Sequence, residues 1–243
     1  MKEITKQIIE LLFPRRCALC DDVLPVVGAD WKGSYICQKC KKNLQVVKEP
    51  VCKKCGKPLE NERAEYCMDC GRKKHAYTQG KAVFVYQGAI QSSLYRFKYL
   101  NRREYADFYA DWAVMRYEKW IRQKNVQLIV PVPLHKNRQK KRGYNQAELF
   151  ARALGTRLNI PVCTNLLVRE RNTVPQKELN DTERKNNLKN AFKITQNIVQ
   201  LSCILLVDDI YTTGSTMDAI ATVLKRAGYR DIYFICASIG KGF

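Results

Sequence analysis

The chain has 243 residues and a hydrophobic content of 46%, which fits one globular domain plus a smaller module and excludes intrinsic disorder as its class. Its 43 Lys and Arg against 23 Asp and Glu leave a net charge of +20, a balance that draws polyanions by Coulomb attraction and counterion release. No apolar stretch approaches the ~20 residues needed to span a bilayer, so no membrane insertion is expected.

From the amino end, residues 2–13 carry Lys2, Glu3, Lys6 and Glu10, which is not the pattern of a secretory signal, and the expected localisation is cytoplasmic. Ile4, Ile8, Leu11 and Leu12 recur at helical spacing and predict a short amphipathic helix. Eight of the eleven cysteines then follow as Cys17/Cys20, Cys37/Cys40, Cys52/Cys55 and Cys67/Cys70, each pair separated by two residues. Two thiolates at that spacing can bind one tetrahedral ion from a tight knuckle, and two knuckles complete a four-sulfur shell, so the pattern predicts structural Zn²⁺. With linkers of 16 and 11 residues, the simplest pairing is sequential, one ion on the first two pairs and one on the last two; a cross-braced pairing stays open. Disulfides and an iron–sulfur cluster are the weaker readings, because a reducing compartment is expected. Residues 1–77 form the expected Cys-rich module and residues 78–243 the second domain. The module is too small to build much core of its own, so its metals would supply much of its folding energy. His75 reads as an exposed linker histidine, since the cysteines already suffice as ligands.

In the larger part, Tyr95, Phe97, Tyr99, Tyr105, Phe108, Tyr109 and Trp112 interleave with Arg96, Lys98, Arg102 and Arg103. Such a stretch can stack on bases while its cations track phosphates, but a helix with buried aromatic residues and a basic outer face is the favoured reading. Residues 128–133 read as a buried strand ended by proline, and residues 134–143 as a loop with five basic side chains. Ala147, Phe150, Ala151, Leu154 and Leu158 then keep a helical period. Residues 169–192 are polar and suit either a hood that closes over substrate or an inert surface hairpin. Cys163, Cys203 and Cys236 lie among apolar neighbours and read as small buried hydrophobes.

The densest signal is residues 204–216, where an apolar strand ends in Asp208 and Asp209 and continues through Ile210, Tyr211, Thr212, Thr213, Gly214, Ser215 and Thr216. Ser215 with Asp218 reads as a capping box opening a helix that stops at Gly228. Backbone N–H groups at such a helix start can hold a phosphate. The two carboxylates can accept hydrogen bonds from ribose hydroxyls or hold a divalent metal. The site therefore calls for a ribose 5-phosphate. No Gly-x-x-x-x-Gly-Lys-Ser/Thr segment is present, which argues against a P-loop ATPase.

The two acids followed by Thr-Thr-Gly-x-Thr resemble the phosphoribosyl pyrophosphate (PRPP) loop of type I phosphoribosyltransferases. Taken with the paired cysteines, residues 130–135, residues 142–146, the spaced Arg169/Arg171/Thr173/Gln176 and Arg184/Asn187/Ala191/Phe192, nearly the whole chain resembles the ComF family. That resemblance implies an α/β fold, a type I phosphoribosyltransferase-like open and mainly parallel sheet with flanking helices, preceded by a small zinc-ribbon-like module. It also implies PRPP binding with Mg²⁺ and a role in natural transformation, handling single-stranded DNA beside a ComFA-like helicase ATPase. On this view Asp208 to Thr216, His135 and Arg142 bind PRPP, and Arg142, Arg169 and Arg184 stabilise charge beside the two acids in any catalysed transfer. The alternative is an active phosphoribosyltransferase acting on an unidentified acceptor outside competence.

Overall fold

The computed structural model describes residues 14–24, 35–170, 191–195 and 201–240. Four strands, β1 (Gln79–Val85), β2 (Leu128–Pro131), β5 (Cys203–Tyr211) and β6 (Asp231–Ile239), form a parallel sheet in the order β1-β6-β5-β2. A separate antiparallel pair joins β3 (Leu167–Arg169) to β4 (Phe192–Ile194). The fold class is therefore the expected one, an open parallel sheet with helices on its faces.

Continuous apolar runs make these strands because both faces of the sheet are covered. In β5, Cys203, Leu205 and Val207 point to one face, and Ile204 and Leu206 to the other; in β6, Ile235 and Ala237 alternate with Phe234 and Cys236 in the same way. The first face carries α3 (Gly88–Tyr99), α4 (Tyr105–Gln123) and α6 (Gln146–Leu158), which bury Phe97, Tyr105, Phe108, Tyr109, Phe150 and Leu154. The second carries α7 (Ser215–Arg226), which buries Met217, Ile220, Ala221 and Leu224.

The cysteine ribbons divide between these faces. Cys17, Ala18, Leu19 and Ile36 join the first cluster, whereas Val47, Cys52, Cys55 and Cys67 join the second. The chain passes from one side to the other along the free edge of β1, where the Val47 N–H donates to the Val83 carbonyl at 3.0 Å and the Val85 N–H to the Gln45 carbonyl at 3.0 Å. Each ribbon adds one short helix, α1 (Gln38–Lys42) and α2 (Met68–Arg72).

Three expectations are corrected. The basic segment after β2 is not a loop but a short helix, α5 (Lys136–Arg142): Lys, Arg and Gln are good helix formers, His135 Nδ1 accepts from the Asn137 N–H at 3.2 Å, and Gly143 closes the helix at φ 79°. The capping box on α7 does not form, because Gly214 is the cap residue and the Asp218 carboxylate is turned to the second ribbon. His75 is buried and not exposed: its ring stacks on Tyr77 at 4.8 Å and its Nδ1 lies 2.7 Å from Asp218 Oδ2. The aromatic stretch follows the favoured reading over α3 and α4, except that Tyr95 and Tyr99 face solvent. Of the lone cysteines, Cys203 and Cys236 are buried and Cys163 is partly exposed. The amphipathic segment 4–12 lies outside the described residues.

Candidate functional site

The eight paired cysteines gather into two groups, Cys17/Cys20/Cys37/Cys40 and Cys52/Cys55/Cys67/Cys70, in each of which the four sulfurs lie within 4.8 Å of one another. This is the sequential pairing. Cys20 Sγ is 3.8 Å from Cys37 Sγ, and Cys55 Sγ is 3.7 Å from Cys67 Sγ. A tetrahedron with metal–sulfur bonds of about 2.3 Å has edges of about 3.8 Å, so both donor sets fit Zn²⁺. Without a cation the sulfurs could not all ionise at these distances; burial pushes the Cys40 thiol up to about 11. Both ribbons are thus built for structural zinc.

The acid pair stands at the carboxyl end of β5, where ligands bind in open α/β sheets. The Asp208 carboxylate accepts from the Asp209 N–H at 2.8 Å, and the Asp209 carboxylate pairs with Lys98 of α3 at 2.8 Å. Dense packing around Asp208, and secondarily the Asp209 charge, push its carboxyl up to about 7, although one edge still reaches solvent. Asp208 lines a small pocket with Ile210, Tyr211, Thr212, Gly214, Ser215, Thr216 and Met217. Gly214 needs its left-handed φ of 79° and its missing Cβ, which would lie 2.5 Å from Tyr211 Oη. Thr213 Oγ1 and Ser215 Oγ are 3.0 Å apart. The loop therefore turns tightly into α7, and the dipole of that helix is directed at the pocket.

Cations face this end of the sheet. Arg169 on β3 is buried beside Phe192, with its guanidinium 5.5 Å from the ring centre. Burial, and then the positive charge of Arg138, pull its pKa down to about 10, while Asp208 opposes that fall. Arg138 of α5 is itself held down by burial and by Arg142. Arg142 lies slightly apart, donating to Tyr99 Oη at 3.0 Å and to Gln146 Oε1 at 3.0 Å. His135, partly exposed, faces Arg169 across an isolated parallel bridge. The ends of the expected hood meet, since Arg169 and Phe192 are register partners; Arg171, Thr173, Gln176, Arg184 and Asn187 lie outside the described residues.

Two features of the site escaped sequence reasoning. Lys98 sits 111 positions before Asp209 on a helix whose surface cations all look alike in the sequence. Tyr77 reaches the loop through a hydrogen bond between its hydroxyl and that of Tyr211 at 2.7 Å.

The molecule is thus a double zinc-ribbon protein built on a parallel α/β sheet with an acid pair and a tight hydroxyl-rich glycine loop at its carboxyl edge. The double zinc ribbon domain matches residues 8–71. DNA utilization protein YhgH of Escherichia coli is 32% identical over 154 residues, 62% of this chain and 67% of that protein. Competence protein F of Haemophilus influenzae is 42% identical over 106 residues, although the match spans only 46% of its length and 43% of this chain. Competence protein ComFC of Bacillus subtilis is 31% identical over 150 residues, 62% of this chain and 59% of that protein. The chain belongs to the ComF family. Among solved structures, a purine phosphoribosyltransferase from Pyrococcus horikoshii is similar at 16% identity and a TM-score of 0.36, covering 54% of this chain and 73% of the other. No helix among the described residues is long and apolar enough to cross a membrane.

Proposed function

We propose that this protein is a competence protein of the ComF type that binds PRPP and handles internalised single-stranded DNA in the cytoplasm, beside a ComFA-like helicase ATPase. The observation that carries the reading is the juxtaposition at one sheet end of Asp208, Asp209 and the 212–216 loop with Arg138 and Arg169. The loop N–H groups and hydroxyls suit the 5-phosphate, and the two carboxylates suit the ribose hydroxyls. The same acids would supply oxygen ligands to Mg²⁺ accompanying PRPP. Arg169 and Arg138 suit the pyrophosphate. The relatives' names, two competence proteins and a DNA utilization protein, agree with the nucleic-acid side of the proposal.

The test is calorimetric titration of the zinc-loaded protein with PRPP and Mg²⁺, with and without single-stranded DNA. Saturable binding is expected, and its absence would remove the sugar-phosphate reading. If the protein is instead a phosphoribosyltransferase, PRPP will release pyrophosphate once an acceptor is supplied, with Arg169 and the basic helix steadying the leaving charge.

One observation favours the DNA reading beyond net charge. Tyr95 and Tyr99 are 58% and 52% exposed, their ring centres lie 5.1 Å apart, and the Arg142 guanidinium rests 4.9 Å from the Tyr99 ring. Base–aromatic stacking is worth roughly 1–3 kcal/mol per base. Changing both tyrosines to alanine is therefore expected to weaken single-stranded DNA binding about tenfold or more while leaving its salt dependence intact, since the phosphate-binding cations remain. Fluorescence anisotropy across a salt series reads both quantities; unaltered affinity would exclude this tyrosine pair.

A further inference from the structure

We propose that the second zinc ribbon clamps the 212–216 loop through Tyr77, His75 and Asp218, so that zinc held by Cys52, Cys55, Cys67 and Cys70 sets how tightly the loop grips its sugar phosphate. The inference rests on the reading of that loop given above and assigns the ribbon a part in binding.

A continuous set of contacts runs from the cysteines to the loop on one face of the sheet. Between Cys52 and Cys55, the Lys53 carbonyl accepts from Gln79 Nε2 at 2.8 Å and the Lys54 carbonyl from the Gly80 N–H at 2.8 Å. Gly56, at φ 77°, lies so close to β1 that an added Cβ would stand 3.0 Å from the Gly80 carbonyl oxygen. The Lys54 ammonium lies 5.3 Å from the centre of the Tyr77 ring. Tyr77 is fully buried, meets Phe234 edge-on at 4.9 Å, and shares its hydroxyl hydrogen bond with Tyr211. Tyr211 in turn stacks on Phe234 at 4.9 Å and fills the space beneath Gly214.

A second strap reaches the same helix start. Asp218, in the first turn of α7, accepts from the Ala76 N–H at 2.9 Å and pairs with His75 Nδ1. His75 Nε2 is buried with no hydrogen-bond partner, which places the ring proton on Nδ1, donating to Asp218. The carboxylate that would otherwise cap α7 is thus held by the residues that leave the ribbon. Both straps fix the turn that aims the loop N–H groups, and of their side chains only Tyr211 also lines the pocket. Removing the Tyr77 hydroxyl leaves that of Tyr211 buried without its partner, and removing His75 leaves Asp218 with only the Ala76 N–H and Lys73 at 3.8 Å; either change lets the loop sample conformations unfit for phosphate, which reduces apparent affinity by the fraction lost.

The experiment compares wild type, Tyr77→Phe, His75→Ala and His75→Asn, each checked for its full zinc content. It reads amide hydrogen exchange of residues 212–217 in the free protein, PRPP affinity with Mg²⁺, and melting temperature. Tyr77→Phe and His75→Ala are expected to speed exchange in the loop about tenfold and to weaken PRPP about tenfold. His75→Asn, which keeps an N–H near the place of Nδ1, should recover most of both. A merely structural role would lower the melting temperature while leaving exchange in the loop and affinity at wild-type values, and that outcome would overturn the clamp. Should Tyr77→Phe fail to fold, Tyr211→Phe removes the same hydrogen bond and keeps the ring stack. If wild type does not bind PRPP, the sugar-phosphate reading fails by itself, and loop exchange alone decides the clamp.

Discussion

Replacing Asp208 and Asp209 together by asparagine is expected to abolish PRPP binding while leaving the protein folded. Both carboxylates lie near the carboxyl end of β5, Asp208 lining the pocket, and their partners are the Asp209 N–H and Lys98 rather than the hydrophobic clusters. Asparagine keeps the shape and one acceptor but removes the charge that would hold ribose hydroxyls and Mg²⁺. Charge-assisted hydrogen bonds are worth roughly 1.5–3 kcal/mol each, so losing two sets affinity back at least about a hundredfold. Calorimetry would read this directly, and undiminished binding would sink the assignment of these acids to the ligand.

The single change Asp208→Asn separates charge from fold. With a folded-state value of about 7 against the ordinary 3.8, the Asp208 carboxyl resists ionisation by up to about 4 kcal/mol, less what its solvent-facing edge restores. A raised acid binds its proton in the folded state between those two values, so ionising it there costs stability as pH rises, with the full cost reached above pH 7. Asp208→Asn should therefore raise the melting temperature at pH 8 by a few degrees and leave it unchanged near pH 4. Ligand binding runs the other way, because it needs the carboxylate: wild-type affinity should fall roughly tenfold from pH 8 to pH 6, and the variant's residual affinity should lose that part of the slope. An acid kept at the cost of stability is the mark of a group retained for a ligand.

The strands β2 and β5 and the helices α6 and α7 were readable because each satisfies a local rule, a continuous apolar run or a 3.6-residue period, and the cysteine spacing carried both ribbons. What was not readable depends on tertiary contact. A run of Lys and Arg has no apolar period, so α5 looked like a loop until His135 and Gly143 were seen to cap it. β3 and β4, with three residues each, are too short for an alternation to register. His75 and Asp218 are 143 positions apart, and Tyr77 and Tyr211 are 134 apart. Nothing in a capping-box pattern says that its acid will be taken by a histidine from another module. The two acids and the hydroxyl loop were legible; the cation beside them was not, because a helix surface with many cations does not announce which one turns inward.

Serine in place of Cys55 is expected to have the largest effect on the fold. Cys55 is fully buried in the cluster that also holds Val130, Leu206, Phe234 and Leu224, so its sulfur completes the metal shell and the apolar face together. Structural zinc contributes about 10–16 kcal/mol in isolated zinc-finger peptides, more than the whole stability of an ordinary domain. Zinc content should drop from about two ions per chain to about one, and the melting temperature by more than about 10 °C, since about 1 kcal/mol shifts a domain of this size by roughly 2–4 °C. Cys40→Ser makes the matching change on the opposite face, where the sulfur is partly exposed and packs with the first cluster. It should also release one ion and destabilise the protein, yet leave PRPP affinity near wild type in the fraction that stays folded, because its ribbon does not touch the 212–216 loop's side of the sheet. Elemental analysis, thermal melts and PRPP titration on the two variants test this asymmetry. Equal loss of affinity in both would mean that the ribbons act only on global stability, and full zinc content in Cys55→Ser would exclude that sulfur as a ligand.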